Sequence, residues 1–352
     1  MSKRPPRRHL RRKPGTRAAA DTFIVTGGAG FVGSNLVATL LARSPRPRII
    51  IVDSFRTGAS ANIIEACARH NVGPFDGGII PESSCDIDWH ALLNLHKPRA
   101  LFHLGAITDT TIMDEGLMFR ENVGGFRGMI HAAKESRVPL VYASSAATYG
   151  TPPHAARREA FPIDAAGNPS NPYGFSKWMM EVEHHAMTSG AGTPQHVVGL
   201  RYFNVFGPGE SRKGKMASMV YQLARKLIEG QSPRLFADGS QSRDQVYIDD
   251  VVSCTIAASG IDGGRVIPGV YNVGSGVATS FNDVIVAIRA ALDLPVSHLA
   301  TEYFEMPAEV RAFYQDFTQA DMRATATGLK WKPSWVVAEA IGRYTLELTA
   351  KP

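Results

Sequence analysis

The chain has 352 residues, of which 44% are hydrophobic, enough for a large core in one domain or in two unequal ones. No run approaches the roughly 20 apolar residues that a membrane helix needs, and no apolar secretion signal follows the arginine-rich start. We therefore expect a cytoplasmic protein without membrane contact. Three dispersed cysteines, Cys67, Cys85 and Cys254, lack the spacing of a metal site and the density of a disulfide scaffold. We predict no metal.

The formal net charge of +6 comes from the beginning of the chain. The first 17 residues contain eight Lys or Arg and no acidic residue, which leaves 30 basic and 32 acidic residues in the rest. The tail also has three prolines and no apolar periodicity. We predict that residues 1–20 form a disordered basic tail. Because the rest of the chain is not basic, we expect no nucleic-acid partner.

From residue 21 to about residue 200, apolar β-rich runs alternate with helical stretches. This alternation is typical of a parallel sheet covered by helices on both faces. We predict an α/β fold with a Rossmann-type, doubly wound parallel sheet over residues 21–207. Turn-rich segments beyond it predict a smaller C-terminal α/β substrate lobe over residues 208–352, part of which returns to the first domain. The β-rich runs are FIVT from Phe23, RIIIVD from Arg48, ALFHL from Ala100, PLVYASS from Pro139 and HVVGLRYFNVFG from His196.

The first run continues as FIVTGGAGFVGSNLVATLLAR, which predicts a strand, a glycine turn and a helix. Gly27 would permit the tight turn, Gly30 the close approach of a pyrophosphate, and Gly33 the packing of helix on sheet. The helix N-terminus would supply N–H groups to the phosphates. Asp53 ends the next strand 20 residues after Gly33, where a carboxylate takes the ribose hydroxyls. This segment predicts a dinucleotide site.

The choice between NAD and NADP depends on two side chains. Asp53 alone favours NAD, because a carboxylate repels an adenosine 2′-phosphate. Arg56 follows three residues later, and its guanidinium can clamp that phosphate. We predict NADP, with NAD as the alternative.

A second motif supplies candidate catalytic groups. YGFSK places Lys177 four residues after Tyr173, one helical turn away on the same face. A lysine ammonium beside a tyrosine hydroxyl favours the phenolate, which makes the phenol usable as a base. The preceding strand delivers Ser144 and Ser145 to the carboxyl edge of the sheet, where ligands bind in such folds. We choose Ser145 to bind the oxygen that is oxidised, with Ser144 beside the nicotinamide.

From residue 21 to near its end, the chain resembles the extended short-chain dehydrogenase/reductase superfamily and, within it, the ADP-L-glycero-D-manno-heptose 6-epimerases. The superfamily motifs are TGGAGFVGSN, YASSAATYG, YGFSK and RYFNVFGPGE. The narrower ones are HLGAITDTT, RKGKMASMVYQL, SPRLFADGSQSRDQVYIDDV and YQDFTQAD. The resemblance implies an isomerase that inverts C6 of a nucleotide-linked heptose by transient oxidation and re-reduction on bound NADP. It also implies a homo-oligomer.

Such chemistry needs one acid/base group on each face of the reacting carbon. Tyr173 can serve one face, and the resemblance assigns the other to Lys213. A loop lysine needs burial or nearby positive charge to exchange protons near neutral pH, and Arg212 and Lys215 could supply that charge.

The resemblance also implies binding residues. Lys215 stands where a small residue is expected, and Gln222 stands where a histidine is usual. Arg243 is the candidate for the diphosphate, because its fork matches phosphate oxygens. The implied substrate residues are Ser145, Asn204, Lys215, Gln222, Phe236, Arg243 and Tyr314. The implied cofactor residues, besides those above, are Phe31, Val32, Ser54, Leu104, Gly105, Ala106, Asn122 and Val205, with Tyr173 and Lys177.

Three other functions compete with this interpretation. A UDP-hexose 4-epimerase shares the glycine turn and the Ser, Tyr and Lys set but does not need Lys213. A 4,6-dehydratase would need an Asp-Glu pair where Ala146 and Ala147 stand. A non-catalytic dinucleotide-binding regulator is disfavoured, because Tyr173 is present.

Overall fold

The computed structural model describes residues 20–189, 196–295, 297–306 and 314–350. The predicted tail lies outside the described residues except for its last position. Within these ranges, no helix has both the length and the apolar character needed to cross a membrane.

The described elements alternate between strand and helix through the first half of the chain, as predicted. The strands are β1 (Thr22–Thr26), β2 (Arg48–Val52), β3 (Gly78–Ile80), β4 (Ala100–His103), β5 (Leu140–Ser145), β6 (Val197–Tyr202), β7 (Asn204–Phe206), β8 (Arg234–Phe236), β9 (Ser242–Tyr247), β10 (Gly269–Val273), β11 (Ala278–Ser280) and β12 (Glu302–Phe304). The helices are α1 (Phe31–Leu41), α2 (Ser60–Arg69), α3 (Trp89–His96), α4 (Glu115–Asn122), α5 (Phe126–Ser136), α6 (Pro153–Ala156), α7 (Pro172–Thr188), α8 (Met219–Ile228), α9 (Ile248–Ser259), α10 (Phe281–Ala291), α11 (Arg323–Gly328) and α12 (Val337–Thr349).

Seven parallel strands form the main sheet in the order β10-β6-β5-β4-β1-β2-β3. From β1 the chain first moves outward to β2 and β3, and then returns to β4 on the other side of β1. The adjacent ends of β1 and β4 are therefore the topological switch point, where open α/β sheets bind ligands. The predicted doubly wound parallel sheet is confirmed.

Alternate residues of each central strand enter different cores, because successive side chains point to opposite faces of a sheet. Phe23 and Val25 pack in one core, and Ile24 packs in the other; all three are fully buried. Helices α1 and α9 contribute to the first core, and α3, α5 and α7 contribute to the second. Burial on both faces explains why these strands are continuous apolar runs.

The later part of the chain forms two small sheets, β11-β9-β7 and β12-β8. The run from His196, expected as one continuous strand, is divided at Phe203. The N–H of Phe203 donates to the carbonyl of Val273, and the chain then leaves the main sheet, so that β7 pairs with β9. The later strand β10, by contrast, returns to the main sheet, where it pairs with β6.

Candidate active site

The carboxyl ends of the central strands open into a cavity of about 670 Å³ at the switch point. Residues from the glycine turn, from the ends of β2, β4 and β5, from α7 and from the loop after β7 surround it. Of the predicted residues, the cavity is lined by Gly27, Gly30, Phe31, Val32, Gly33, Asp53, Ser54, Arg56, Leu104, Gly105, Ala106, Ser145, Tyr173, Lys177, Asn204, Val205 and Lys213.

The glycine turn is packed so tightly that two of its glycines have no space for a side chain. Gly27 has a φ of +68°, and a Cβ there would lie 2.6 Å from the amide nitrogen of Gly105. A Cβ at Gly33 would lie 2.0 Å from the carbonyl oxygen of Gly27. Helix α1 begins directly after the turn, and no side chain in the described ranges caps its N-terminus. Its first N–H groups and positive dipole end are available to an anion in the cavity.

Asp53 connects the end of β2 to this turn. Its carboxylate accepts hydrogen bonds from the N–H groups of Ala29, at 2.8 Å, and Phe55, at 2.9 Å. Each carboxylate oxygen keeps further acceptor capacity. The carboxylate is therefore fixed in position and can still receive ribose hydroxyls.

Arg56 lies at the cavity rim and has an acidic partner that sequence analysis missed. Its guanidinium is 3.3 Å from Glu121 of α4, whose other carboxylate oxygen accepts a hydrogen bond from Ser83. The side chain of Arg56 is 45% exposed, so the pair is weak. An arriving phosphate can compete with this carboxylate for the guanidinium.

Tyr173 and Lys177 lie on one face of α7 beside Ser145. Helix α7 begins at Pro172, and the side chain of Asn171 caps it by accepting a hydrogen bond from the N–H of Gly174. Burial raises the pKa of Tyr173, and a hydrogen bond with Ser145 opposes this rise. Ser145 is therefore positioned to assist loss of the phenolic proton.

Lys177 is almost completely buried. Its ammonium donates a hydrogen bond to the carbonyl of Ala143, at 2.9 Å. Burial lowers the pKa of Lys177 to about 7, although the charge of Glu181 acts in the opposite direction. A lysine in this state can change its charge near neutral pH.

A buried ion pair that sequence analysis did not identify lies beside this group. Glu181 follows Lys177 by one helical turn, and its carboxylate accepts two hydrogen bonds from Arg201 of β6, at 2.6 and 2.9 Å. Ser144, expected beside the nicotinamide, donates its hydroxyl to the same carboxylate. A signal existed in the sequence, because an arginine inside the apolar run VVGLRYF needs a buried partner.

Lys213 lines the cavity from a 3₁₀ segment, Ser211–Met216. Its ammonium lies 5.5 Å from the ring centroid of Phe31. Burial lowers the pKa of Lys213, and the charge of Glu210 opposes this. Arg212 and Lys215 do not supply the positive charge that the sequence suggested for Lys213. Arg212 forms an ion pair with Glu65, and Lys215 is exposed.

The other implied binding residues lie elsewhere. Lys215 and Gln222 do not line this cavity within the described residues. The amide of Gln222 instead donates a hydrogen bond to the carbonyl of Ala217, at 2.8 Å. Asn122 lies behind the cavity wall: its amide exchanges hydrogen bonds with the backbone of Ile107 and donates to the hydroxyl of Ser176. Asn122 thus joins the loop after β4 to α7.

Phe236, Arg243 and Tyr314 form a separate cluster. The rings of Phe236 and Tyr314 meet edge to face at 5.7 Å, and the guanidinium of Arg243 lies 5.0 Å from the ring centroid of Tyr314. Tyr314 also lines a second cavity, of about 850 Å³, together with Arg158 and Gln241. This larger cavity holds none of the Ser, Tyr and Lys set, so the candidate chemistry lies in the smaller one.

Comparison with known proteins agrees with this geometry. Residues 23–274 match the NAD dependent epimerase/dehydratase family. The chain is 36% identical over 317 residues to an ADP-L-glycero-D-manno-heptose-6-epimerase from Alkalilimnicola ehrlichii, covering 85% of this chain and 89% of that protein.

Solved structures of epimerases share the fold of this chain. The ADP-L-glycero-D-manno-heptose-6-epimerase of Helicobacter pylori is 31% identical, with a TM-score of 0.78 over 94% of this chain and 97% of that one. A UDP-glucose 4-epimerase from Thermus thermophilus, solved with NAD, is 25% identical, with a TM-score of 0.71 over 94% of this chain and 99% of that one. The chain therefore belongs to the NAD dependent epimerase/dehydratase family, and it is an epimerase, an isomerase that uses a nicotinamide dinucleotide.

Proposed function

We propose that this enzyme interconverts ADP-D-glycero- and ADP-L-glycero-D-manno-heptose at C6, using bound NADP. The observation that carries the proposal is that Tyr173 and Lys213, two groups able to exchange protons, line the same cavity as the glycine turn. The similarity to heptose epimerases over most of the chain supports the choice of substrate.

The residues present fit a dinucleotide. Gly27 and Gly33 let the turn pack tightly against the backbone of Gly105 and against the turn itself, and the start of α1 offers N–H donors to a pyrophosphate. Asp53 would hold the ribose, and Ser54 and Arg56 would bind a 2′-phosphate. The bound nicotinamide supplies the hydride acceptor in the first half of the reaction and the donor in the second.

Side chains of the enzyme transfer the protons. In one direction, Tyr173 takes the C6 hydroxyl proton as the C–H bond breaks, and Ser145 hydrogen-bonds to the oxygen as it becomes a carbonyl. For the return half of the reaction, Lys213 would deliver a proton to the same oxygen from the opposite face of the carbonyl group. Tyr173 and Lys213 exchange these roles in the reverse direction.

Incubation of the purified enzyme with ADP-D-glycero-D-manno-heptose tests the substrate, with NMR used to follow product stereochemistry. We expect the L-glycero epimer to accumulate without added cofactor, and no reaction of UDP-galactose. Turnover of UDP-galactose alone would identify a UDP-hexose 4-epimerase instead.

Two variants test the residue roles. Tyr173→Phe and Lys213→Ala should each reduce kcat by about 100-fold or more, the size typical of a lost acid/base group, while bound cofactor is retained. Exposed Lys332 provides the matched control, Lys332→Ala, with unchanged kcat. Normal kcat in both Tyr173→Phe and Lys213→Ala would refute the two-base mechanism. The cytoplasmic location and the homo-oligomeric state expected above stay predictions.

A further inference from the structure

Three metal-ligating side chains meet on the outer surface of α3 and α5, outside the lining of both cavities. His90 lies on α3, and His131 and Glu135 lie on α5. The Nε2 atom of His90 is 2.9 Å from a carboxylate oxygen of Glu135 and 3.4 Å from Nδ1 of His131. Nδ1 of His131 is 3.5 Å from the other carboxylate oxygen. One nitrogen of each histidine and a carboxylate oxygen of Glu135 thus lie within 4.8 Å of one another.

These separations are close to those between the ligands of a tetrahedral metal ion. Ligand atoms about 2.0–2.1 Å from a zinc ion are separated by about 3.3 Å when the geometry is tetrahedral. The two nitrogens are 3.4 Å apart, and the nearest carboxylate oxygen of Glu135 is 2.9 Å from His90 and the other oxygen 3.5 Å from His131. A metal ion could bind both nitrogens and one carboxylate oxygen without a large movement of either helix, and the fourth position would face solvent and hold water.

The helices hold the ligands in this arrangement independently of any ion. His131 and Glu135 are four residues apart, so both project from one face of α5. Next to His90, Leu92 and Leu93 of α3 pack in the core that also holds Met129 and Ile130 of α5. A packed helix pair reduces the entropy cost of assembling a site.

The donor set selects the class of ion. With both imidazoles neutral, the three groups carry one negative charge, which favours a cation. Two imidazole nitrogens and one carboxylate oxygen suit zinc and similar transition metals, whereas Mg²⁺ and Ca²⁺ require more oxygen ligands. We propose that His90, His131 and Glu135 form a surface zinc site that links α3 to α5 and stabilises the fold without taking part in the reaction.

Titration of the untagged, metal-stripped enzyme with Zn²⁺ tests the proposal, with a competing chromophoric chelator reporting the bound metal. We expect His90→Ala and His131→Ala each to bind one equivalent fewer than the unchanged enzyme. Exposed His185 on α7 gives the matched control, His185→Ala, which should keep the full stoichiometry. Equal zinc uptake by His90→Ala, His131→Ala and the unchanged enzyme would overturn the proposal, as would the absence of zinc binding.

Thermal unfolding supplies a second readout. Saturating Zn²⁺ should raise Tm by a few degrees in the unchanged enzyme and in His185→Ala, because an ion that binds only the folded state stabilises it. The rise should disappear in Glu135→Gln, a substitution of nearly equal size. Epimerase activity should be the same in the His90→Ala and unchanged enzymes, since the site lies outside both cavities. A full Tm rise in Glu135→Gln, or a loss of activity in folded His90→Ala, would contradict the proposed role.

Discussion

Glu181→Gln removes the negative half of the buried ion pair between α7 and β6. Both side chains of this pair are only 4% exposed, so the remaining guanidinium of Arg201 cannot reach water. Burial lowers the pKa of Arg201, but the hydrogen bonds and charges of Glu181 and Tyr149 together raise it above its usual value. Because the guanidinium of an arginine is not deprotonated in proteins, Arg201 stays charged in the variant and has lost its carboxylate partner.

The expected cost follows from these contacts. Removing one partner of a buried ion pair costs about 3–5 kcal/mol. Arg201 keeps hydrogen bonds to the hydroxyl of Tyr149 and the carbonyl of Ile163, at 3.0 and 2.7 Å, and these satisfy part of its charge. We expect a loss near the lower end, about 3 kcal/mol of the free energy of unfolding.

Urea denaturation, followed by circular dichroism, measures this loss. The matched variants are Arg201→Met and the double variant Glu181→Gln/Arg201→Met, which removes both charges. The double variant should lose less stability than the sum of the two single charge removals, because no charge stays buried alone. A loss below about 1 kcal/mol in Glu181→Gln would refute the reasoning, since an exposed pair costs no more than that.

Three further predictions concern the cofactor pocket. Gly33→Ala places a methyl group 2.0 Å from the carbonyl oxygen of Gly27, so the purified variant should lose its bound cofactor and a lower Tm should be measured; full cofactor occupancy would contradict this. Arg56→Ala should weaken NADP binding about tenfold or more while changing NAD binding little, as measured by titration of cofactor-free enzyme; equal losses would show that Arg56 does not select the 2′-phosphate. Lys177→Met removes a lysine whose pKa falls to about 7 on folding. Below that pH the native enzyme bears the full cost of burying the charge, and the cost disappears as the pH rises towards the unfolded value of about 10.4. The variant's stability advantage in urea denaturation should therefore be largest below about pH 7 and shrink with rising pH; a constant difference would contradict the burial of a charged lysine.

The sequence alone predicted the features that depend on local geometry. Gly27, Gly30 and Gly33 followed from the backbone requirements of a strand, a turn and a helix. Tyr173 and Lys177 followed from helical spacing, which places residues four apart on one face. Apolar runs buried on both faces indicated the parallel sheet. Each of these inferences needs only neighbouring residues, and the structure bears out the fold and brings these side chains to one cavity.

Only the tertiary structure decided which distant residues meet. It paired Arg201 with Glu181, Arg56 with Glu121 and Arg212 with Glu65, and it divided the predicted strand at residue 203. It also separated the cluster of Phe236, Arg243 and Tyr314 from the cavity that holds Lys213. These contacts depend on strand order and on how helices pack on the sheet, which local spacing does not encode. Local patterns therefore predicted the cofactor turn and the helical Tyr and Lys pair. Long-range packing determined which charged and hydrogen-bonding side chains lie next to them.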